Sequence, residues 1–199
     1  MSSQSRKTLR VTYRQRRRAL GKASRRRAAQ QLASHISRNP HFRAARRLAA
    51  YLATDGEIEL QPALAKALQA GKQVYVPVLD RHGGMQFVRY RSGASTHCLR
   101  WGLAEPLRGA RWPRAAKFDL VLMPLVAFDC MGHRIGRGGG HYDRYFATPG
   151  NHYGAGSRPL LMGVAHHFQQ APGIEAESWD VPLDAIATDR GVRYFKRLQ

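Results

Sequence analysis

Apolar residues along this chain recur with two spacings, and each spacing predicts a type of secondary structure. Short, nearly continuous apolar runs that end in polar or glycine-containing turns predict buried strands. The predicted strands cover residues 48–52, 73–79, 119–124, 160–165 and 185–188. Residues 85–90 alternate between apolar and polar side chains, which predicts an edge or hairpin strand. Residues 91–117 show neither pattern and are predicted to be irregular.

Apolar residues three or four positions apart predict helices between these strands. The predicted helices cover residues 5–20, 24–37 and 60–70, and another begins over 141–146. Ser24 is expected to cap the second helix, and Pro40 is expected to stop it because proline cannot continue a helix. The third helix has Pro62 in its first turn and Gly71 just past its end, as helices commonly do.

The order of these elements predicts the fold class. A strand, a helix and a second strand follow one another over residues 48–79, which implies a right-handed parallel crossover. We therefore expect an open, mostly parallel α/β sheet flanked by helices. The 199 residues, 43% of them hydrophobic, suit one domain with its own core, on which the basic segment 1–40 packs as helices. Such sheets bind ligands beyond the carboxyl ends of their strands.

Positive charge is concentrated at the amino-terminal end. The chain has 33 lysines and arginines against 13 acidic residues, and 15 of the basic residues precede Asp55, the first acidic one. A basic segment of this kind attracts polyanions such as nucleic acid, acidic membranes, nucleotides or polyglutamate tails. A solvated helix face in an organism that favours arginine gives the same pattern, and the run lacks the interleaved aromatic residues of many nucleic-acid-binding segments.

Several classes of protein are disfavoured by what the sequence lacks. No apolar run approaches the ~20 residues needed to span a bilayer, and arginines rather than an apolar stretch follow the first residues. Cys98 and Cys130 form no CxxC pair. The neighbouring His166 and His167 have no third ligand at metal spacing. We expect a reduced cytoplasmic protein without structural zinc and without a membrane partner.

A glycine-rich loop is the strongest candidate for a functional site. Four glycines fall within positions 136–140, beside Arg134 and Arg137. Glycine is retained at such density where the backbone needs positive φ or a ligand approaches closely, and exposed N–H groups beside arginines can hold phosphates. The loop lacks the ending of a Walker A motif and the context of a dinucleotide fingerprint. A flexible surface loop is the alternative, and Asp143 can either bind Mg²⁺ or help to cap the following helix.

The residues around this loop resemble a known family. Residues 122–143 align without gaps to the signature of 5-formyltetrahydrofolate cyclo-ligases, also called 5,10-methenyltetrahydrofolate synthetases. Further similar segments are 7–10, 16–20, 51–58, 71–77 and 179–184. The resemblance covers nearly the whole chain.

This resemblance implies an ATP-dependent reaction. The family converts ATP and 5-formyltetrahydrofolate to 5,10-methenyltetrahydrofolate, ADP and phosphate, with Mg²⁺. The γ-phosphoryl group activates the formyl oxygen as a leaving group, and N10 then attacks the activated carbon. A protein that runs such chemistry must mainly position two small molecules and neutralise charge.

The resemblance also implies roles for particular residues. The implied ATP contacts are Arg6, Lys7, Arg10, Arg134, Gly136, Arg137, Gly138, Gly139, Gly140, His141 and Tyr142. Arg137 is the candidate for stabilising the transferred phosphoryl group, and Asp143 and Asp180 are the implied metal ligands. Leu52 and Glu57 are implied to contact the folate, with Glu57 accepting hydrogen bonds from the pterin. Either Arg6 or Lys7 can be the ATP contact, and His141 and Tyr142 can serve packing instead.

Two other functions compete with the cyclo-ligase interpretation. One is a nucleic-acid-binding protein that uses the arginine-rich segment, which we consider less favoured. The other is a folate- or nucleotide-binding regulator without turnover, and the presence of the glycine loop with Glu57, Asp143 and Asp180 argues against it. In an enzyme, residues 16–18 could in addition attract the glutamate tail of a folate.

Overall fold

A seven-stranded sheet forms the centre of the computed structural model, which describes residues 5–91, 96–98, 104–106, 117–147 and 158–196. The strand order is β11-β10-β9-β6-β1-β2-β3. Its strands are β1 Arg47–Ala49, β2 Gln73–Leu79, β3 Met85–Arg89, β6 Leu120–Pro124, β9 Leu160–Val164, β10 Ala185–Thr188 and β11 Gly191–Tyr194. Two separate antiparallel pairs are β4 Thr96–Cys98 with β5 Ala104–Pro106, and β7 Ala127–Phe128 with β8 Arg134–Ile135.

The inner strands of the large sheet are parallel, and its two edges are antiparallel. Strands β10, β9, β6, β1 and β2 pair in parallel, whereas β3 and β11 are the antiparallel edges. Parallel strands covered on both faces consist of nearly continuous apolar residues, and the first four residues of β6 are all buried. The predicted fold class is therefore confirmed.

Some predicted strands have different bounds in the structure. Strand β1 ends at Ala49, so the prediction of a strand through residue 52 is too long, although Ala50, Tyr51 and Leu52 are buried. Strand β11 was not predicted, because two of its four residues are exposed and it has no apolar run. The prediction that 91–117 is irregular is wrong at β4 and β5, and most of that segment lies outside the described residues.

Helices cover both faces of the sheet. They are α1 Arg6–Arg18, α2 Lys22–Arg38, α3 Pro40–Ala44, α4 Gln61–Gln69 and α5 His141–Phe146. Helices α2 and α4 bury Leu32, Ile36 and Leu64 against one face. On the other face, Tyr145 of α5 packs its ring 5.1 Å from that of Phe87. No helix in the described part of the chain is long and apolar enough to cross a membrane.

The helix ends differ from prediction at two places. Helix α2 begins at Lys22 with Gly21 as its cap, so Ser24 lies inside the first turn and is not the cap. Pro40 ends α2 as predicted and also opens α3, where a proline in the first turn costs no hydrogen bond. The Oδ1 atom of Asn39 accepts from the backbone N–H groups of His41 and Phe42, which stabilises that start.

Helix α1 lies against the β7–β8 hairpin. Its buried residues Leu9 and Tyr13 pack with Val126, Ala127 and Ile135 of the hairpin. The Ser5 side chain caps α1 by accepting from the backbone N–H of Thr8 at 3.2 Å. Because the glycine-rich loop leaves this same hairpin, the packing brings the basic first helix beside that loop.

Candidate functional site

A cavity of about 190 Å³ opens at the carboxyl ends of three neighbouring parallel strands, β6, β1 and β2. This is the edge of the sheet where the fold class predicted a ligand. The lining comes from the ends of strands, the segment after β1 and the glycine-rich loop. The residues are Tyr51, Leu52, Glu57, Pro77, Leu79, Met85, Pro124, Arg134, Gly136, Arg137, Gly139, Gly140, His141, Tyr142 and Asp143.

The glycine-rich loop has the backbone conformation that its composition predicted. Gly138 and Gly140 have φ angles of +116° and +60°, a region that disfavours side-chain-bearing residues. Gly140 is the residue before α5, and its carbonyl accepts from the backbone N–H of Arg144 at 3.0 Å. The loop therefore turns sharply into the helix and presents its arginines to the cavity.

Arg137 reaches across the cavity to the segment after β1. Its Nε lies 3.1 Å from Oε1 of Glu57 and its Nη2 lies 2.9 Å from Oε2. Nη2 also donates to the carbonyl and hydroxyl oxygens of Thr54. Two residues that the sequence assigned to different substrates, Arg137 and Glu57, thus form one forked ion pair.

The predicted metal ligands Asp143 and Asp180 lie near one another, because Oδ1 of Asp143 accepts from the backbone N–H of Val181 at 3.2 Å. The same Oδ1 accepts from Nη2 of the buried Arg134 at 2.7 Å. Asp180 accepts from Nη1 of Arg6 at 2.6 Å and from Nη2 at 3.2 Å. Burial raises the pKa of Asp180, but the Arg6 hydrogen bonds outweigh it and lower the pKa below its ordinary value.

These two carboxylates are ligands of the type that Mg²⁺ prefers, together with other oxygen groups. Mg²⁺ in nucleotide sites is held by one or two carboxylates, with phosphate oxygens and water completing the coordination. The described residues contain no group of three or more histidines, cysteines or carboxylates that could hold an ion alone. A Mg²⁺ ion held by these two carboxylates would need phosphate oxygens and water to complete its coordination.

The first helix is joined to the site by arginines. Nε of Arg10 donates to the carbonyl of Gly136 at 3.0 Å, and Nη1 of Arg6 also donates to the carbonyl of Glu175 at 2.9 Å. Lys7 is exposed and makes no polar contact with any described residue. Of the two candidates that the sequence left open, Arg6 is the one that contacts another predicted site residue, Asp180.

A second group of arginines on α1 binds the turn at Asp55. Arg14, Arg17 and Arg18 all donate to its carboxylate. Arg17 is completely buried, so a solvated helix face and a contact with a glutamate tail are both wrong for this residue. Burial raises the pKa of Asp55, but the hydrogen bonds from Arg17, Arg18 and Arg14 lower it to about 2.

Aromatic residues complete the cavity wall. The Tyr142 hydroxyl is buried and has no hydrogen-bond partner among the described residues, and burial raises its pKa well above the ordinary value. Its ring lies 6.3 Å from that of Phe146 in a stacked arrangement. Burial, with the nearby Arg144 charge, lowers the pKa of His141. A buried phenol without a partner is the group that a polar ligand would satisfy.

The fold brings together most of the residues predicted from sequence. Leu52 and Glu57 share the cavity with all but one of the predicted loop residues. The predicted residues outside its lining are Gly138, Arg6, Lys7, Arg10 and Asp180. Sequence reasoning gave no individual role to an apolar wall and one polar contact, although two of these residues fall in the similar segment 51–58. They are Tyr51, Pro77, Leu79, Met85 and Pro124 on the wall, and Thr54 beside Arg137. Only their position along the sequence could have indicated a role in the site, because four of the five wall residues lie at strand ends or just beyond them.

An α/β fold with a glycine-rich loop, arginines and an apolar wall at the carboxyl ends of its strands is typical of proteins that bind small anionic ligands bearing a ring. The particular family follows from comparison with known proteins. The chain belongs to the 5-formyltetrahydrofolate cyclo-ligase family, whose model matches residues 2–189. The resemblance noted in the sequence is thereby confirmed.

Individual relatives agree with this assignment. The 5-formyltetrahydrofolate cyclo-ligase of Escherichia coli K12 is 36% identical over 178 residues, which cover 88% of this chain and 95% of that protein. The Haemophilus influenzae cyclo-ligase is 33% identical over 187 residues, covering 92% and 97%. The NMR structure of Aquifex aeolicus 5,10-methenyltetrahydrofolate synthetase matches with a TM-score of 0.78 at 28% identity, over 98% of this chain and 94% of that one.

Proposed function

We propose that this protein converts 5-formyltetrahydrofolate to 5,10-methenyltetrahydrofolate, with ATP consumed to ADP and phosphate and with Mg²⁺ bound. The observation that carries the proposal is the shared cavity, in which Leu52 and Glu57 face the glycine loop and Arg137. An apolar wall suits a pterin ring, and a loop of glycines and arginines suits a triphosphate. Family membership supports the same activity.

The chemistry explains why such a cavity is needed. The formyl oxygen of an amide is a poor leaving group, so the γ-phosphoryl group is transferred to it and ADP departs. N10 then attacks the activated carbon, the new C–N bond closes the ring and inorganic phosphate leaves with the oxygen. Side chains hold the two reactants together and balance the charge that moves with the phosphoryl group.

We propose the following roles for the site residues. We assign phosphate binding to Arg6, Arg10 and Arg134 together with the loop backbone, supported by their contacts with Asp180, the Gly136 carbonyl and Asp143 at the site, and Arg137 is our candidate for the transferred group. Asp143 and Asp180 are the residues that would hold Mg²⁺, which would neutralise phosphate charge.

We also propose the setting in which this enzyme works. The partners are small molecules, ATP and a folate that can carry a polyglutamate tail, and the location is the cytoplasm. The sheet receives strands from residues 47 to 194 and helices α1 to α5 pack around it, which supports a single domain.

The decisive experiment is an absorbance assay for the methenyl product with purified protein, Mg·ATP and 5-formyltetrahydrofolate. We expect a rise that requires ATP and that falls at least about 100-fold in Arg137→Ala, since removing one group that stabilises developing charge typically costs this much. Arg26→Ala, an exposed arginine of α2, is the matched control and should keep wild-type activity. A flat trace from folded wild-type protein would refute the proposed activity.

A further inference from the structure

The carboxylate of Glu57 is held in the cavity by protein groups on several sides. Its side chain is only 5% exposed. Oε1 lies 3.1 Å from Nε of Arg137, and Oε2 lies 2.9 Å from Nη2 of Arg137 and 3.1 Å from the backbone N of Thr54. The forked edge of the carboxylate, which could accept two parallel donors from a pterin, is the edge that Arg137 uses.

Arg17 of α1 contacts the turn that carries Glu57. Nε of this buried arginine donates to the carbonyl of Asp55 at 2.7 Å, and Nη1 donates to the carbonyl of Leu125 at 3.3 Å. Nη1 also lies 3.9 Å from Oε1 of Glu57. Gly56 has a φ of +75°, and a Cβ there would lie 2.9 Å from the Arg17 carbonyl oxygen. The turn therefore packs directly on α1.

Glu57 thus lies between two arginines, Arg17 of the first helix and Arg137 of the glycine loop. An arginine on a glycine-rich loop has many conformations, because both its backbone and its long side chain are flexible. A buried carboxylate and the two oxygens of Thr54 restrict its guanidinium to one orientation. Restricting a charged group before reaction is worth most where charge develops in a transition state.

We infer that Glu57 and Thr54 are positioning residues that orient Arg137 for phosphoryl transfer, with the buried Arg17 supporting them from α1. The inference rests on the proposed function and deepens it, because it assigns Glu57 a role in the rate of the chemical step. Misplacing a catalytic group by about 1 Å can cost about 100-fold in rate. Loss of the Glu57 charge should therefore lower kcat, in addition to any effect on KM for the folate.

The first test is steady-state kinetics of Glu57→Gln, with kcat and KM measured for both substrates. We expect kcat at saturating substrate to fall about 10- to 100-fold, and this fall in kcat is the readout, because Glu57 is also an implied pterin contact and its loss can change KM for 5-formyltetrahydrofolate as well. Retention of wild-type kcat, with only KM for the folate raised, would overturn the inference, because Glu57 would then contribute to folate binding alone. An inactive wild-type enzyme would instead refute the proposed function.

A double-mutant cycle shows whether Glu57 acts through Arg137. We expect Glu57→Gln to cost little or nothing further in an Arg137→Ala background, because the group that it orients is already gone. Multiplying losses in the double variant would show that the two residues act independently and would overturn the inference.

Thr54→Val provides a variant that leaves the buried charges intact. It removes the hydroxyl that accepts from Arg137 and keeps the shape of the side chain. We expect a smaller fall in kcat, about threefold to tenfold, since one hydrogen bond contributes about 1 kcal/mol, with unchanged KM for the folate. Wild-type kcat in this variant would contradict the role of Thr54 and of the turn.

The pH dependence of kcat supplies a readout that altered folding would not move. Burial raises the pKa of the Glu57 carboxyl, although the nearby Arg137 and Arg17 oppose this effect. The pair with Arg137 needs ionised Glu57, so wild-type kcat should decline on the acid side as this group takes up a proton. Glu57→Gln should lack that decline, and its persistence would assign the decline to another group and contradict the inference.

Discussion

At the scale of single residues, Arg17 of α1 carries a buried charge that supports the fold, whereas other arginines of the basic segment are exposed to solvent. Arg17 follows Leu9 and Tyr13 at helical spacing on the buried side of α1. Its Nη2 atom lies 2.7 Å from Oδ2 of Asp55. A buried charge is tolerated only where it is paired and hydrogen-bonded, so this turn and this helix depend on each other.

We predict that Asp55→Asn destabilises the protein at neutral pH by about 3 kcal/mol, because it leaves the Arg17 charge buried and less well paired. The hydrogen bonds from the arginines hold the Asp55 pKa at about 2, against an ordinary value of 3.8. A lowered pKa stabilises the fold above the ordinary value, and this contribution is lost as pH falls through about 2. The difference between variant and wild type should therefore shrink over that window.

Urea unfolding at neutral pH and at several acid pH values measures this effect. Glu59→Gln, which alters an exposed carboxylate two residues beyond Glu57, is the control and should stay within about 0.5 kcal/mol of wild type. A constant difference between Asp55→Asn and wild type at all pH values would show that the Asp55 charge is not responsible.

At the scale of elements, neighbouring side chains pack very closely on strand β9. Strand β9 lies between β6 and β10 and is buried from Leu161 onward. A Cβ added at Gly163 would lie 2.6 Å from Cδ1 of Leu183 and 2.8 Å from Cδ2 of Leu125. Packing therefore disfavours any side chain at this position, because even one methyl group would displace the ends of two leucines.

We predict that Gly163→Ala lowers the free energy of unfolding by about 1–3 kcal/mol, the usual cost of overpacking a core. Gly173→Ala is the matched control, since nothing lies within 4 Å of the Cβ that would be added there. Thermal or urea unfolding of the two variants measures the difference. Equal stability of both would mean that the leucines move aside at little cost.

At the scale of the whole molecule, the excess positive charge divides into two parts. Arginines of α1 contact Asp55, Asp180 and the glycine loop. Basic residues on the exposed side of α2 have no ion-pair partner in the described part of the chain; they are Lys22, Arg26, Arg27 and Arg38. The nucleic-acid-binding alternative therefore depends on α2 more than on α1.

We predict that reversing two of these charges, Arg26→Glu with Arg27→Glu, leaves kcat/KM unchanged at physiological salt, where surface charges are screened beyond about 8 Å. Stability should change by less than about 0.5 kcal/mol. The measurements are the absorbance assay, urea unfolding, and titration of labelled single- and double-stranded nucleic acid at several salt concentrations. Tight wild-type binding that weakens steeply with salt and is lost in the double variant would instead favour a nucleic-acid partner.

The sequence by itself determined the order and type of the main elements and the position of the glycine loop. Strands β2, β6, β9 and β10 were predicted to within one or two residues, because buried parallel strands are continuous apolar runs bounded by turns. Such signals are local, since backbone propensity and burial act over a few neighbouring residues. The exposed edge strand β11 lacks an apolar run and was missed for that reason.

Only the tertiary structure decided which charges meet. Arg137 and Glu57 are 80 residues apart, and Arg17 and Asp55 are 38 apart. Arg17 is the middle one of three consecutive arginines, and only its place on the helix distinguishes it from the other two. Its partner is set by how α1 packs on the β7–β8 hairpin and where the turn after β1 falls. Ion pairs depend on distance and burial in space, so residue type and spacing along the chain do not determine them.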